Sequence, residues 1–186
     1  MLHFPDVPSW MSSDAKRIRE ETWRAMELMF DEGMCGSIGV SNFDQSDLAE
    51  MLDYCSVLPH LNQVEFNPYQ NPQQLRRFCA DQGIFIMGYC PLAKSSLLHD
   101  PTVLSVASQL NRTPAQICIR WSVQQGVPAV PKSTKQHRVL ENSQVFDFSL
   151  SEEHMHLLSS LHRNHRSIDL TNVQDRLLMP PGYKLG

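Results

Sequence analysis

The stretch that decides the fold is Val127-Pro128-Ala129-Val130-Pro131-Lys132-Ser133-Thr134-Lys135-Gln136-His137-Arg138. Its pattern predicts a buried strand, a short polar turn and the first turns of a helix. A helix N-terminus presents free backbone N–H groups and the positive end of the helix dipole. Because Lys132, Ser133 and Arg138 add cationic and hydroxyl groups there, we predict a phosphate-binding turn. The alternative is a solvated helix end.

The same order of strand and helix recurs along the chain. Short apolar runs predict strands at 37–40, 61–66, 84–89 and 127–130, and Leu2-His3-Phe4 resembles the end of a further strand. Amphipathic patterns and capping residues predict helices over 14–32, 44–54, 72–82, 101–110, 114–125, 135–142 and 151–162. This alternation predicts a parallel sheet of about four to five strands covered by helices.

Composition narrows the class of protein. The chain has 186 residues, a formal net charge of -4 and 41% hydrophobic residues, which is an ordinary globular composition. A mildly acidic chain without a long apolar run favours neither a nucleic acid nor a membrane as partner. The five cysteines are scattered and contain no C-x-x-C pair, so we expect reduced thiols in a cytoplasmic protein and no metal site.

Polar residues follow the predicted strands, at the edge where an α/β barrel carries its active site. In chain order they are His3, Ser41, Asn42, Gln63, Tyr89, Lys132 and Ser133. Hydroxyl and carboxamide groups are suited to hold an amide-bearing ring, an aromatic residue can stack on that ring, and a cation suits a phosphate. The set therefore predicts a site for a nicotinamide cofactor.

Four motifs in order make the prediction more specific. They are Ser37-Ile38-Gly39-Val40-Ser41-Asn42-Phe43, Asn62-Gln63-Val64-Glu65-Phe66-Asn67-Pro68-Tyr69, Gly88-Tyr89-Cys90-Pro91-Leu92, and Val130-Pro131-Lys132-Ser133 with Arg138, Glu141 and Asn142. With these motifs the chain resembles the C-terminal part of the aldo-keto reductase superfamily. The resemblance covers the end of barrel strand 4 to strand 8 and the C-terminal tail.

The resemblance implies a TIM (β/α)8 barrel, here an incomplete one over residues 1–162, followed by a tail over 163–186. It implies NADP(H)-dependent reduction of an aldehyde or ketone, a small-molecule carbonyl substrate and a family that is usually monomeric. Ser41, Asn42 and Gln63 match residues that hold the carboxamide, Tyr89 matches the residue that stacks on nicotinamide, and Leu92 lies along the pyrophosphate path. Lys132, Ser133 and Arg138 match the grip on the 2′-phosphate, while Glu141 and Asn142 match adenine contacts.

His3 matches the catalytic histidine of the family, which orients the substrate carbonyl beside a tyrosine acid. No residue of this chain matches the family's catalytic Asp, Tyr and Lys, so we expect the chain to be truncated and the isolated chain to be inactive. The alternative function is a non-catalytic isoform or fragment that binds a dinucleotide weakly or acts through protein partners.

An incomplete barrel leads to a prediction about the isolated chain. A TIM barrel needs eight strands and roughly 250 residues, and open parallel strand edges expose apolar surface. Unless something supplies barrel strands one to three, we expect the purified chain to be unstable or to self-associate, as measured by light scattering, and to oxidise NADPH with carbonyl substrates slowly at most. Strong reductase activity of the purified chain would contradict this expectation.

Overall fold

A computed structural model describes residues 1–5 and 13–168 of the chain. Helices and strands alternate through most of the described part, so the predicted α/β class is confirmed. In chain order the elements are α1 (Ala15–Asp31), β1 (Gly39–Ser41), α2 (Gln45–Leu52), β2 (Leu61–Glu65), α3 (Gln73–Asp81), β3 (Phe85–Tyr89), a 3₁₀ segment (Ala93–His99), α4 (Pro101–Leu110), α5 (Pro114–Gln124), β4 (Ala129–Val130), α6 (Gln136–Ser143) and α7 (Glu152–Ser159).

Within the described residues the sheet has four strands in the order β1-β2-β3-β4, in agreement with the predicted four to five. β1 and β2 are parallel, with Val40 opposite Asn62. β3 and β4 are also parallel, with Tyr89 opposite Val130. Leu2 forms an isolated parallel bridge to Val40, so the partial strand expected at the start of the chain is present as a single pair.

Local sequence explains where several helices begin. The Asp44 carboxylate accepts a hydrogen bond from the Asp47 N–H, and the Asp47 carboxylate accepts one from the Asp44 N–H, which forms a capping box at α2. Asp100 caps α4 and precedes its N1 proline. Thr113 and Gln116 form a second capping box at α5.

The structure differs from the sequence-based prediction at the end of α7 and in the segment before α4. α7 ends at Ser159 rather than at His162, and a hydrogen bond from Asn71 N–H to the His162 ring explains part of the change, because it holds His162 outside the helix. The 3₁₀ segment was not predicted. It contains Lys94 and Ser95 at positive φ. Non-glycine residues rarely adopt this conformation, so the sequence gives no sign of it.

The chain divides into two compact units. The first comprises the described residues of Met1–Gln63, Gln74–Phe85 and Ile168–Gly186. Its largest fully buried side chains include Trp23, Phe43, Leu48 and Met51. Buried Glu27 on α1 accepts hydrogen bonds from the backbone N–H groups of Ser56 and Val57, at 2.7 and 2.8 Å.

The second unit comprises Val64–Gln73 and Ile86–Ser167. Its apolar core includes Phe66, Ile117, Trp121 and Leu158, all fully buried. The rings of Phe66 and Trp121 stack with their centroids 4.9 Å apart. This stacking packs the residue after β2 against α5.

Two strand residues expose apolar side chains. Phe85 on β3 is 78% exposed and Val130 on β4 is 42% exposed. Exposed apolar surface of this kind favours association. Self-association of the chain stays a prediction. No helix among the described residues is long and apolar enough to cross a membrane.

Gly88 provides a test of the packing of β3 in the second unit. A Cβ atom there would lie 2.9 Å from Phe66 Cβ and 3.3 Å from Val127 Cγ1. Overpacking of this kind costs about 1–3 kcal/mol, so we expect Gly88→Ala to lower the free energy of unfolding by that amount in urea denaturation. Gly36→Ala is the control because no atom lies within 4 Å of its added Cβ. Equal stability of the two variants would contradict the packing described here.

Candidate functional site

Three of the predicted cofactor-binding residues, Ser41, Asn42 and Gln63, meet at the ends of β1 and β2 in the first unit. The Ser41 hydroxyl donates to the Gln63 carbonyl at 2.7 Å, and the Asn42 N–H donates to the same carbonyl at 2.9 Å. Ser41 is buried, and Asn42 and Gln63 are half-buried. The parallel pairing of Ser41 with Gln63 therefore brings together residues that are 22 positions apart in sequence.

Asn42 adopts a left-handed backbone conformation, with φ 62°. Asparagine tolerates this region better than most residues, and here it turns the chain sharply after β1. Its side-chain Nδ2 donates to Ser41 Oγ at 3.1 Å and to the His3 carbonyl at 3.0 Å. The resulting group carries hydroxyl and carboxamide dipoles without a formal charge, which is the chemistry that an uncharged carboxamide ligand needs.

His3 lies beside this group through its backbone rather than through its ring. The imidazole is exposed and stacks on Phe4, with ring centroids 4.3 Å apart. The backbone of Leu2 exchanges hydrogen bonds with Gly39 and Ser41 on β1, at 2.8 Å each, which holds the preceding residue in place. The His3 backbone is therefore held next to the end of β1.

Tyr89 ends β3 in the second unit and is half-buried. Burial, together with the carboxylate of Glu65, raises the pKa of the Tyr89 hydroxyl to about 12, although the Arg166 guanidinium acts in the opposite direction. The phenol therefore stays neutral at physiological pH. A neutral aromatic ring at a strand end can stack on a flat ligand.

The loop after Tyr89 contains four non-glycine residues at positive φ: Cys90 at 53°, Ala93 at 45°, Lys94 at 51° and Ser95 at 78°. Such residues cost free energy, and they persist where the surrounding structure imposes them, often at binding sites. Two backbone hydrogen bonds tighten the loop, from Ala93 N–H to the Cys90 carbonyl and from Ser95 N–H to the Leu92 carbonyl. Sequence reasoning missed this conformation because no glycine marks it.

Leu92 lies in this loop, and its side chain packs against the apolar core of the second unit. Backbone N–H groups in successive turns can form a cavity that binds an anion. This placement suits the predicted pyrophosphate path.

Lys132, Ser133 and Arg138 lie on the turn between β4 and α6, and on α6 itself. Because Tyr89 pairs with Val130, this turn leaves the same edge of the sheet as the Tyr89 end of β3. Lys132 and Arg138 are exposed, and neither forms an ion pair with another described residue. Both charges are available to an anion.

Ser133 is already engaged within the turn. Its hydroxyl oxygen accepts from the Lys135 N–H at 3.1 Å. Lys135 is the residue before the first turn of α6 and makes no capping bond with its own side chain. The turn therefore presents a helix N-terminus together with two cations, which is a suitable environment for a phosphate.

Glu141 and Asn142 lie on α6 and are half-buried. The Thr113 hydroxyl donates to Glu141 Oε1 at 2.6 Å, and Gln116 Nε2 lies 3.4 Å from the Glu141 carbonyl. The Glu141 carboxylate is thus held by the start of α5, which sequence reasoning did not foresee. One carboxylate oxygen is used within the protein.

Sequence reasoning also missed two buried polar residues after the middle of β2. Glu65 and Asn67 were noted only as parts of a motif, yet both are almost fully buried. Asn67 Nδ2 donates to Glu65 at 3.2 Å and to the Cys90 carbonyl at 3.1 Å. These bonds tie the end of β2 to the residue after Tyr89. Within the described ranges, no group of three or more His, Cys, Asp or Glu residues is placed to hold a metal ion.

Comparison with known proteins identifies relatives across most of the chain. The model of the aldo/keto reductase family matches residues 1–163. An uncharacterized oxidoreductase of Caenorhabditis elegans is 47% identical over 186 residues, which cover 100% of this chain and 58% of the relative. Glyoxal reductase of Bacillus subtilis is 40% identical over 147 residues, which cover 79% of this chain and 53% of the relative. The chain thus spans little more than half the length of these curated relatives.

Solved structures agree in fold. The aldose reductase of Schistosoma japonicum superposes with a TM-score of 0.78 at 35% identity, over 89% of this chain and 55% of that one. An aldo/keto reductase from Brucella melitensis superposes with a TM-score of 0.79 at 36% identity, over 87% of this chain and 58% of that one. Both comparisons support an α/β fold of the TIM-barrel type with part of the barrel in this chain.

The contact between Thr113 and Glu141 leads to a test. Thr113→Ala removes the N-cap of α5 and the hydrogen bond to Glu141, so we expect a loss of about 1–2 kcal/mol in the free energy of unfolding. Thr113→Ser keeps the hydroxyl and should retain most of that stability. Urea denaturation measures both, and equal losses for the two variants would contradict the role assigned to the hydroxyl.

Proposed function

The chain belongs to the aldo/keto reductase family, and on that premise we propose that it carries part of an NADP(H)-dependent oxidoreductase that reduces aldehydes or ketones to alcohols. The proposal covers the cofactor, the reaction and the residues involved. The carbonyl substrate is a small molecule, and the family alone does not define it further.

The observation that carries the proposal is the pairing of β3 with β4. It places Tyr89 opposite Val130, so that an aromatic residue and the cationic turn after β4 leave neighbouring strands at one edge. A flat ring next to a phosphate-binding turn is an arrangement that suits a dinucleotide. The uncharged group of Ser41, Asn42 and Gln63 in the first unit supplies the chemistry that a carboxamide needs.

We assign the residues of this chain as follows. Ser41, Asn42 and Gln63 hold the carboxamide, Tyr89 stacks on the nicotinamide ring, and the backbone at Leu92 follows the pyrophosphate. Lys132, Ser133 and Arg138 bind the 2′-phosphate, and Glu141 and Asn142 contact the adenine. The residues suit the cofactor, because exposed cations beside the N-terminus of α6 suit a phosphate and the uncharged groups of Ser41 and Asn42 suit an amide.

The cofactor supplies a hydride when bound. The neutral Tyr89 ring orients the nicotinamide by stacking, and the buried Ser41 hydroxyl group stiffens the end of β1. His3 orients the substrate by donating a hydrogen bond to the carbonyl oxygen from its exposed ring. Negative charge then develops on the carbonyl oxygen next to the His3 hydrogen-bond donor, which lowers the activation barrier of the reduction.

A second candidate function is dinucleotide binding without turnover by this chain. The described tyrosines other than Tyr89 favour it, because neither is placed as a proton donor. Tyr69 donates its hydroxyl to Asp100 at 2.7 Å, and burial raises the pKa of Tyr54 to about 12. Loss of a positioned general acid costs typically about 10²–10⁴ in rate.

The 2′-phosphate assignment gives the test of the proposed function. We expect the chain to bind NADPH more tightly than NADH in fluorescence titrations. Lys132→Met should weaken NADPH binding about tenfold, because a charge-assisted hydrogen bond is lost, and should leave NADH binding nearly unchanged. Lys16→Met is the control, since Lys16 is an exposed cation on α1.

Equal affinity of the wild-type chain for NADPH and NADH would contradict the assignment. Carbonyl-dependent oxidation of NADPH then separates the two candidate functions. Turnover above the uncatalysed rate supports the reductase, whereas binding without turnover supports the second candidate.

A further inference from the structure

We propose that Glu65 is a positioning residue for the dinucleotide site. The Glu65 carboxylate clamps the segment 163–167 onto the loop after β2 and thereby fixes the Tyr89 end of β3. The inference rests on the proposed function in one respect, because it assigns Tyr89 to nicotinamide stacking. Every contact that carries it lies within the second unit.

Glu65 is a carboxylate buried at the end of β2, with 4% of its surface exposed. The Ser167 N–H donates to both of its oxygens, at 2.8 and 3.0 Å, and Asn67 Nδ2 donates to one of them at 3.2 Å. A buried charge needs such donors, and hydrogen bonds to an ionised acceptor are the strong ones. Glu65 therefore fixes the position of Ser167.

Asn67 carries the constraint from Glu65 to the end of β3. It is fully buried, and its Nδ2 also donates to the Cys90 carbonyl at 3.1 Å. Its Oδ1 accepts from the N–H groups of Tyr69 and Gln70, which closes the loop after β2 on the same side chain. Cys90 directly follows Tyr89 and has φ 53°, so the backbone turns sharply at the point that Asn67 holds.

The segment Arg163–Ser167 meets the same loop at a second place. The N–H groups of Arg163 and His165 both donate to the Tyr69 carbonyl, at 3.1 and 3.2 Å. The Arg163 guanidinium lies 3.8 Å from the centroid of the Tyr69 ring. The segment is thus attached to Tyr69 at one end and to Glu65 at the other, next to the strand end that carries Tyr89.

Glu65 also has an electrostatic effect at Tyr89. Its carboxylate contributes to the raised pKa of the Tyr89 hydroxyl, and Arg166, in the clamped segment, opposes it. Removing the charge of Glu65 would change both the position of the segment and the field at the Tyr89 ring. If Glu65 only filled space in the core, replacing it would not change the position of the segment and the field at the Tyr89 ring in particular.

The test replaces one oxygen of the Glu65 carboxylate with an NH2 group. Glu65→Gln turns an N–H donor toward Ser167 N–H or Asn67 Nδ2, which are donors themselves. Glu27→Gln is the matched control, because Glu27 is also a buried glutamate, 7% exposed, that accepts two backbone N–H bonds, and it lies in the first unit. Both variants use the full chain.

Two ligands separate positioning at Tyr89 from general damage. NADPH reaches the nicotinamide end, whereas adenosine 2′,5′-bisphosphate requires only the turn after β4 and α6. We expect Glu65→Gln to weaken NADPH binding about tenfold and to leave adenosine 2′,5′-bisphosphate binding within about twofold. Glu27→Gln should change neither affinity by more than about twofold.

Hydrogen exchange tests the clamp without a cofactor. Amides of residues 163–167 and 89–91 should exchange faster in Glu65→Gln, whereas Glu27→Gln should speed exchange at Ser56 and Val57. Unchanged exchange at 163–167 in Glu65→Gln would overturn the inference. Equal weakening of both ligands would also overturn it, because the effect would then be general.

Failure of the proposed function is distinguishable from failure of this inference. A wild-type chain that binds neither ligand overturns the proposed function, and the exchange measurement still decides whether Glu65 clamps the segment. A wild-type chain that binds NADPH, with Glu65→Gln binding it equally well, overturns the inference alone.

Discussion

The two-residue ladder between β3 and β4 is the constraint on which the second unit depends. It sets Gly88 opposite Ala129 and Tyr89 opposite Val130, so one register fixes where both following loops begin. A shift of one residue would move Tyr89 to the other face of the sheet. The ladder in turn requires that Gly88 carry no side chain, because Phe66 and Val127 occupy the space beside it. The chemistry at the strand ends therefore depends on a close packing contact below it.

Much of the fold could be predicted from sequence because its signals are local. Capping residues such as Asp44, Asp100 and Thr113 precede amphipathic helices, and short apolar runs mark the strands. The family motifs added the order of the site residues. The bonds within the group of Ser41, Asn42 and Gln63 follow from strand pairing, which the βα alternation already suggested. The role of each residue toward a cofactor stays a prediction.

Other features had no local signal. The left-handed run of Ala93, Lys94 and Ser95 contains no glycine, so only the surrounding structure defines it. The hydrogen bond between Thr113 and Glu141 joins residues 28 positions apart, and Thr113 already had a complete explanation as an N-cap. His162 was assigned to a helix because its pattern continues that of α7, whereas its ring accepts a hydrogen bond from Asn71. In each case tertiary contacts outweigh local propensity.

The bonds between Glu65 and Ser167 join residues 102 positions apart. Closing so long a loop costs more conformational entropy than closing a short one, and contacts of this kind slow folding. During synthesis the Glu65 carboxylate emerges long before its partner, and until then it must remain hydrated or the end of β2 must stay open. Completion of this part of the molecule is therefore coupled to the arrival of the last residues that the structure describes.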